Sequence, residues 1–183
     1  MAILAIIALG VGFFAGLKIT KPVMIDMADN YWKDKQLYDF RLLSTMGFEQ
    51  ENVDAFARQE DVRAVEGAVS ADILYMDGSE NENVMKVHSL PEKLNQITLV
   101  GGRMPEKGNE CVVDSNLYIA DQIGEKIRLS ANNEEEDGEL FAYKEYTVVG
   151  LAKSSYYANF ERGNTSLGSG RISGFMYIPM DGF

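Results

Sequence analysis

The chain has 183 residues, of which 46% are hydrophobic and 10% aromatic, a composition typical of a folded protein rather than a disordered one. Its net charge of −11 and its pI near 4.6 argue against nucleic acid as a partner, because phosphate binding needs a basic surface. The single cysteine, Cys111, allows no disulfide within the chain. Its apolar neighbours Val112 and Val113 indicate a small core residue rather than a reactive thiol.

The first feature along the chain is an apolar run at residues 2–17 that has no charged, amide or hydroxyl side chain, with Lys18 directly after it. An uncharged run joined to an acidic remainder predicts a transmembrane helix that carries a domain outside the bilayer. At about 1.5 Å per residue the run spans roughly 24 Å, less than the hydrocarbon core of roughly 30 Å. We therefore expect the chain to start inside a longer membrane helix. The alternative is a cleaved signal peptide, but a basic n-region is lacking and the cleavage site at Ala15 is poor.

An amphipathic helix is predicted next, with an entry at Thr20, Lys21 and Pro22. Apolar side chains then recur at helical spacing and form one stripe, made of Val23, Met24, Met27, Ala28, Tyr31 and Trp32. We interpret residues 20–36 as a stalk that joins a membrane helix, residues 1–19, to an outer domain, residues 37–183. Motion passing between the two parts has to cross the stalk. Its candidate coupling residues are Met24, Met27, Tyr31 and Trp32.

The first half of the outer domain contains four predicted strands, recognised by alternating apolar residues between turn residues, at 38–45, 65–76, 84–90 and 96–100. A short helix is predicted at residues 50–59, because Val53, Phe56 and Ala57 share one face. The dipeptide Asp77-Gly78 is a turn signal. The second and third of these strands should therefore form a hairpin.

The second half has four more predicted strands, at residues 110–113, 126–129, 141–150 and 171–179. A helix is predicted at residues 115–123, an acidic loop at 131–139 and an irregular, glycine-rich stretch at 154–174. Strands outnumber helices, and the helices are short and interspersed singly. This order predicts an α+β domain with mixed or antiparallel sheets, preceded by a transmembrane helix and an amphipathic stalk.

Residues able to carry chemistry are few. His88 is the single histidine and has no partner at catalytic or metal-ligand spacing, so a structural or surface role is expected. Residues 133–138 resemble the start of a calcium loop, but Lys144 stands where a bidentate glutamate is needed. We therefore expect no catalytic, cofactor-binding or metal-binding residues.

One group of side chains is a candidate patch for binding a partner, because aromatic residues and arginine are enriched where proteins bind each other. Its members are Tyr156, Tyr157, Phe160 and Arg162. Burial of the same residues against the core is the simpler alternative.

Several short motifs follow the membrane helix and stalk in a fixed order. They are Gly-Arg-Met-Pro at 102–105, Glu-Cys-Val-Val-Asp at 110–114, the stretch at 123–129 and Tyr-Thr-Val-Val-Gly-Leu at 146–151. In this order the chain resembles the outer core domain of FtsX-like (MacB-like) permease subunits of ABC transporters. The tail, with Tyr156-Tyr157, Arg162-Gly163, residues 166–168 and residues 175–179, resembles versions from Gram-positive bacteria.

The resemblance implies a permease subunit of the cell membrane that is not itself an enzyme, with the residues after about 19 outside the cytoplasm. Its ATPase would be a separate subunit, and further membrane helices of the permease would pack with the first. A second permease copy is a candidate partner, as is a peptide, lipoprotein or cell-wall component outside. On this expectation the chain is a fragment, incomplete at both ends.

Three other classes of protein fit part of the pattern. A ligand-sensing outer domain of a membrane receptor also has a membrane helix followed by an α+β module, and it is the main alternative. A pilin-like subunit is disfavoured because Ala5 stands where pilins carry a glutamate. A secreted hydrolase is disfavoured because no pair of nucleophile and base stands out.

Overall fold

The computed structural model describes residues 1–76, 81–134 and 138–183. The predicted turn at Asp77-Gly78 lies outside the described residues. So does the centre of the acidic loop, and with it three of the six residues that resemble a calcium loop.

The chain begins with one long helix, α1, at Ala2–Asp34. It continues through Pro22, so the predicted membrane segment and the predicted stalk are parts of a single helix. Among the described residues, α1 is the one helix whose length and composition would allow it to cross a membrane. None of its residues is buried in the protein. A long apolar surface without protein cover is the surface that a bilayer solvates.

A sheet of seven strands forms the body of the outer domain. The strands are β1 Ser70–Met76, β2 Glu82–Ser89, β3 Thr98–Gly102, β4 Glu110–Asp114, β5 Lys126–Leu129, β6 Glu145–Lys153 and β7 Gly174–Ile178. Their order is β3-β6-β4-β7-β2-β1-β5, and β5 pairs with β6 as well, which closes six of the strands into a barrel. The pairs β2–β7 and β4–β6 are parallel and the other pairs are antiparallel. With its short helices, this mixed sheet confirms the predicted α+β class.

The barrel interior is filled by side chains at alternate strand positions. Ile73, Met85, Cys111, Val148 and Met176 are completely buried in one cluster. The structure thus confirms the prediction that Cys111 is a core residue. Residues of the opposite parity, among them Phe175 and Tyr177, form a second cluster on the outer surface, and residues 154–162 run across it.

Several predicted elements are confirmed, although they begin or end a few residues from their predicted positions. β1 and β2 form the predicted hairpin, with Ser70 opposite His88 and Met76 opposite Glu82. The predicted short helix is α2, at Gln50–Ala57. The Asn52 side chain accepts a hydrogen bond from the Glu49 N–H at 3.0 Å, which satisfies one of the free donors at the start of this helix.

Two predicted elements are wrong. Residues 38–45 do not form a strand. They run across the surface without joining a ladder in the described part of the chain, and Phe40 is 88% exposed. Residues 115–123 form turns and a three-residue 3-10 helix at Ala120–Gln122 instead of an α-helix. The Asp114 carboxylate accepts the Asn116 N–H at 2.9 Å and its carbonyl accepts from the N–H of Tyr118, so a single turn forms. Ile119 then has an extended backbone, with φ −111° and ψ 165°, and this ends the turn.

Candidate functional site

The end of α1 is fastened to the barrel. The N–H of Leu37 donates to the carbonyl oxygen of Trp32 at 3.0 Å, and the N–H of Gln36 donates to that of Lys33 at 3.1 Å. This is the pattern of a Schellman motif, with Gln36 in the left-handed region at φ 52°. The helix therefore ends in a defined turn rather than a frayed one.

That turn is bonded to the loop between β2 and β3. The N–H of Gln96 donates to the Lys35 carbonyl at 2.8 Å, and the N–H of Asn95 donates to the Gln36 carbonyl at 3.0 Å. The Tyr38 N–H donates to Asn95 Oδ1 at 3.0 Å. We call these contacts, between residues 35–38 and residues 95–96, the joint. Two of these three bonds join backbone atoms of both segments, so the end of α1 is fixed to this loop.

Asn95 is the central residue of the joint. It is buried, and its φ of 54° lies in the left-handed region, which asparagine tolerates better than most residues. Its backbone and its side chain each bond to the segment that follows α1. Asparagine therefore suits this position, because it tolerates the left-handed backbone and its side chain can bond to the segment after α1.

An aromatic cluster lies behind the joint. The ring of Tyr156 is 5.6 Å from Tyr38 and 5.4 Å from His88, and His88 stacks on Tyr177 at 5.1 Å. The His88 Nε2 and the Tyr157 hydroxyl are 2.8 Å apart, so they share a hydrogen bond. Burial, together with the nearby Lys86 charge, lowers the pKa of His88 to about 3. His88 is therefore neutral at ordinary pH and packs as part of the core.

Arg162 and Asp114 form a buried ion pair beside this cluster. The side chain of each is 3% exposed, and Arg162 Nε and Nη2 both bond to the Asp114 carboxylate. The guanidinium also lies 5.3 Å from the ring centre of Tyr157 and 5.6 Å from that of Phe175. The buried ion pair of Arg162 with Asp114 thus fastens residues 154–162 to the barrel.

The four residues predicted as a partner patch have different environments. Phe160 is 89% exposed, Tyr156 and Tyr157 are half-buried, and Arg162 is buried. The structure therefore brings Tyr157 and Arg162 together as a packed unit and leaves Phe160 as the one large apolar side chain of the group on the surface.

The four predicted coupling residues lie on the outer part of α1. Met24 and Met27 are largely exposed, whereas Tyr31 and Trp32 are covered over more than half of their surface. A cleft of about 620 Å³ separates this part of α1 from the barrel. Its walls include Met27, Tyr31 and Trp32 on one side and Tyr157, Phe160 and Arg162 on the other. The cleft therefore joins six of the eight residues predicted from sequence, and Met24 and Tyr156 are not part of its lining.

Two side chains that could carry chemistry, those of Cys111 and Glu110, are buried or paired. Within the described residues, no group of three or more His, Cys, Asp or Glu side chains could hold a metal ion. The Cys111 thiol is buried, and burial raises its pKa, so it stays protonated. Glu110 is paired with Arg103, which lowers the pKa of its carboxyl to about 2. This pair holds the Gly-Arg-Met-Pro turn against β4.

Sequence reasoning missed two residues of the joint, Asn95 and Gln36. The signal available for each was weak. Asn95 stands in a loop after Pro91, where asparagine is common for its tolerance of left-handed geometry, and Gln36 follows the last periodic residue of the stalk. Neither position indicates by itself that the two segments meet.

Neither a protein-family model nor a curated protein sequence matches the chain. Among solved structures, it is similar to the extracellular domain of the noncanonic ABC-type transporter YknZ from Gram-positive bacteria, with 10% sequence identity and a TM-score of 0.46. The match covers 75% of this chain and 65% of the other. A similarity of this size carries no argument about fold or function.

Proposed function

We propose that the chain is the extracytoplasmic domain of an ABC transporter permease subunit, together with membrane helix sequence that precedes it. In this proposal residues 1–19 lie in the membrane, residues 20–36 form the stalk and residues 37–183 form the outer domain. The ATPase is a separate subunit, and the outer domain is not an enzyme. The order of the sequence motifs behind an apolar helix supports this assignment.

The single observation that carries the mechanical part of the proposal is the continuity from α1 into the joint. α1 is one helix from Ala2 to Asp34, and the residues that follow it are bonded through their backbone to Asn95 and Gln96. A helix is stiff along its axis, so a displacement at its membrane end reaches the joint. From there it passes to the loop between β2 and β3, and then to the barrel. The domain would relay ATP-driven motion to transport or to a partner outside the cell.

The test is a double substitution in the stalk, Met27→Asp with Tyr31→Asp, made in the full-length permease. Both residues line the cleft between α1 and the barrel. Full burial of an apolar side chain is worth about 1.5–3 kcal/mol. Tyr31 is covered over more than half of its surface and Met27 is largely exposed, so two carboxylates should weaken the contact between α1 and the barrel by less than two full burials. We expect the outer domain to stay folded and ATP hydrolysis to continue, while transport or partner activation fails.

The matched control is Ile25→Asp with Asn30→Asp, which adds the same charge at positions of α1 that do not line the cleft. This control should retain transport. If the Met27/Tyr31 variant transports as well as the control, the stalk is a passive tether and the relay is refuted.

A further inference from the structure

A carboxylate is held by the loop that forms one half of the joint. Glu66 precedes β1, and its Oε1 accepts a hydrogen bond from the N–H of Glu92 at 2.6 Å. Its Oε2 accepts from the N–H of Lys93 at 3.0 Å and from that of Leu94 at 2.6 Å. Three consecutive N–H groups that converge on one anion have the geometry of a backbone nest, which binds anions through its aligned dipoles. The residues of the loop therefore form an anion site, and Glu66 fills it.

The nest is directly adjacent to the joint. The next two residues, Asn95 and Gln96, donate the N–H groups that hold the end of α1. On its other side, the segment that carries Glu66 is fixed by Val69, which exchanges hydrogen bonds of 2.9 and 3.0 Å with Ser89 at the end of β2. The Glu66 carboxylate thus connects a segment anchored on β2 to the loop that holds α1.

We propose that residues 92–94 are an anion-binding nest that Glu66 occupies as an internal clasp, so that the Glu66 carboxylate fixes the loop that holds α1. The class of ligand that fits the nest is a small oxyanion: a carboxylate, a phosphate or a sulfate. When Glu66 leaves, the nest is open to such an anion from elsewhere, and the loop loses the brace that orders Asn95 and Gln96.

Three physical effects favour Glu66 in the nest. Bonds from N–H groups to an ionised carboxylate are about twice as strong as those between neutral groups. A tethered carboxylate also acts at a high effective concentration, in the millimolar range for a short connection. The chain itself carries a net charge of −11, which repels free anions. The clasp therefore outcompetes small anions until Glu66 is removed or pulled away.

The proposal does not depend on the chain being a permease domain, and its test uses the 183-residue chain in detergent. The variants are Glu66→Ala and Glu66→Gln, with Glu60→Ala as the matched control, because Glu60 is an exposed glutamate of the same stretch. Amide hydrogen exchange is measured for residues 92–96 and 35–38, with sodium sulfate as the probe anion. Sodium chloride at the same ionic strength serves as the salt control.

Both Glu66 variants should exchange the amides of residues 92–94 roughly tenfold faster or more than wild type, because charge-assisted bonds are lost. Amide exchange should also become faster at residues 35–38, because the loop then holds the end of α1 less firmly. In Glu66→Ala, sulfate but not chloride should restore protection, whereas wild type and Glu60→Ala should not respond. Unchanged exchange in both Glu66 variants would overturn the clasp. Faster exchange that sulfate does not restore would overturn the anion site.

Discussion

Removing the charge of Arg162 should strongly destabilise the outer domain. In Arg162→Met the Asp114 carboxylate, which is 3% exposed, stays buried without its ionic partner. Breaking a buried pair in this way costs about 3–5 kcal/mol, because one uncompensated charge remains in a poorly solvated site. The lost contacts of the guanidinium with the rings of Tyr157 and Phe175 add to this cost. Urea unfolding of the chain in detergent, followed by circular dichroism, measures the change in free energy of unfolding.

The exposed arginine of the same region provides the control. Arg171→Met should change the free energy of unfolding by less than about 0.5 kcal/mol, as surface substitutions commonly do. The double variant Arg162→Met with Asp114→Asn removes both charges and should be more stable than Arg162→Met alone. If Arg162→Met is no more destabilising than Arg171→Met, the ion pair does not hold residues 154–162, and the assignment of Arg162 to the core is refuted.

Three further predictions concern the joint and the core. Asn95→Ala removes the acceptor for the Tyr38 N–H and places alanine at φ 54°, so it should cost about 1–2 kcal/mol of unfolding free energy, while Asn95→Gly removes the acceptor but tolerates φ 54° and should cost less. His88 should make stability depend on pH: since its pKa is about 3 in the folded protein and its ordinary value is 6.5, the unfolded chain binds the extra proton. Stability should therefore fall as the pH drops from 6.5 towards 3, by at most about 1.4 kcal/mol per pH unit. Cys111 should react with a maleimide only when the protein unfolds, because its thiol is buried and its pKa is raised.

Each of these predictions has a clear contrary result. If Asn95→Gly is as stable as wild type in urea unfolding, the side-chain oxygen does not support the joint. For His88, the comparison is with His88→Gln, because carboxylates such as Glu110 also lose stabilising interactions in acid. A stability curve with the same slope in both proteins between pH 6.5 and 4 would contradict the buried, neutral histidine. Labelling of Cys111 in the folded protein at the rate of a free thiol would contradict its burial.

The strands of the barrel were predictable from short apolar runs, which alternate with exposed residues in β5 and are buried throughout in β4. β2, β4 and β5 lie within a few residues of their predicted positions. Residues 38–45 have a similar alternation, yet no ladder partner meets them in the described chain. Alternation reports which side chains share a face, and it does not report whether a neighbouring strand is present. The helix predicted at 115–123 does not form, because the extended backbone of Ile119 ends the turn that begins at Asp114.

Only part of the candidate site could be predicted from the sequence. The apolar stripe of the stalk has helical spacing, which predicts Met27, Tyr31 and Trp32 on one face, and all three line the cleft. The joint depends on a contact between Tyr38 and Asn95, which are 57 residues apart. Contacts of such separation follow from the closed barrel. Periodicity within one segment therefore cannot reveal them.

The most direct test of the proposed role asks on which side of the membrane the barrel lies. Asn132 is exposed, and Asn132→Cys introduces an accessible thiol into a protein whose own cysteine is buried. The intact protein is expressed in its native membrane, and whole cells are treated with a maleimide that cannot cross membranes. We predict labelling of Asn132→Cys in intact cells and none of the parent protein. Labelling that occurs only after the cells are lysed would place the barrel in the cytoplasm and would contradict the account.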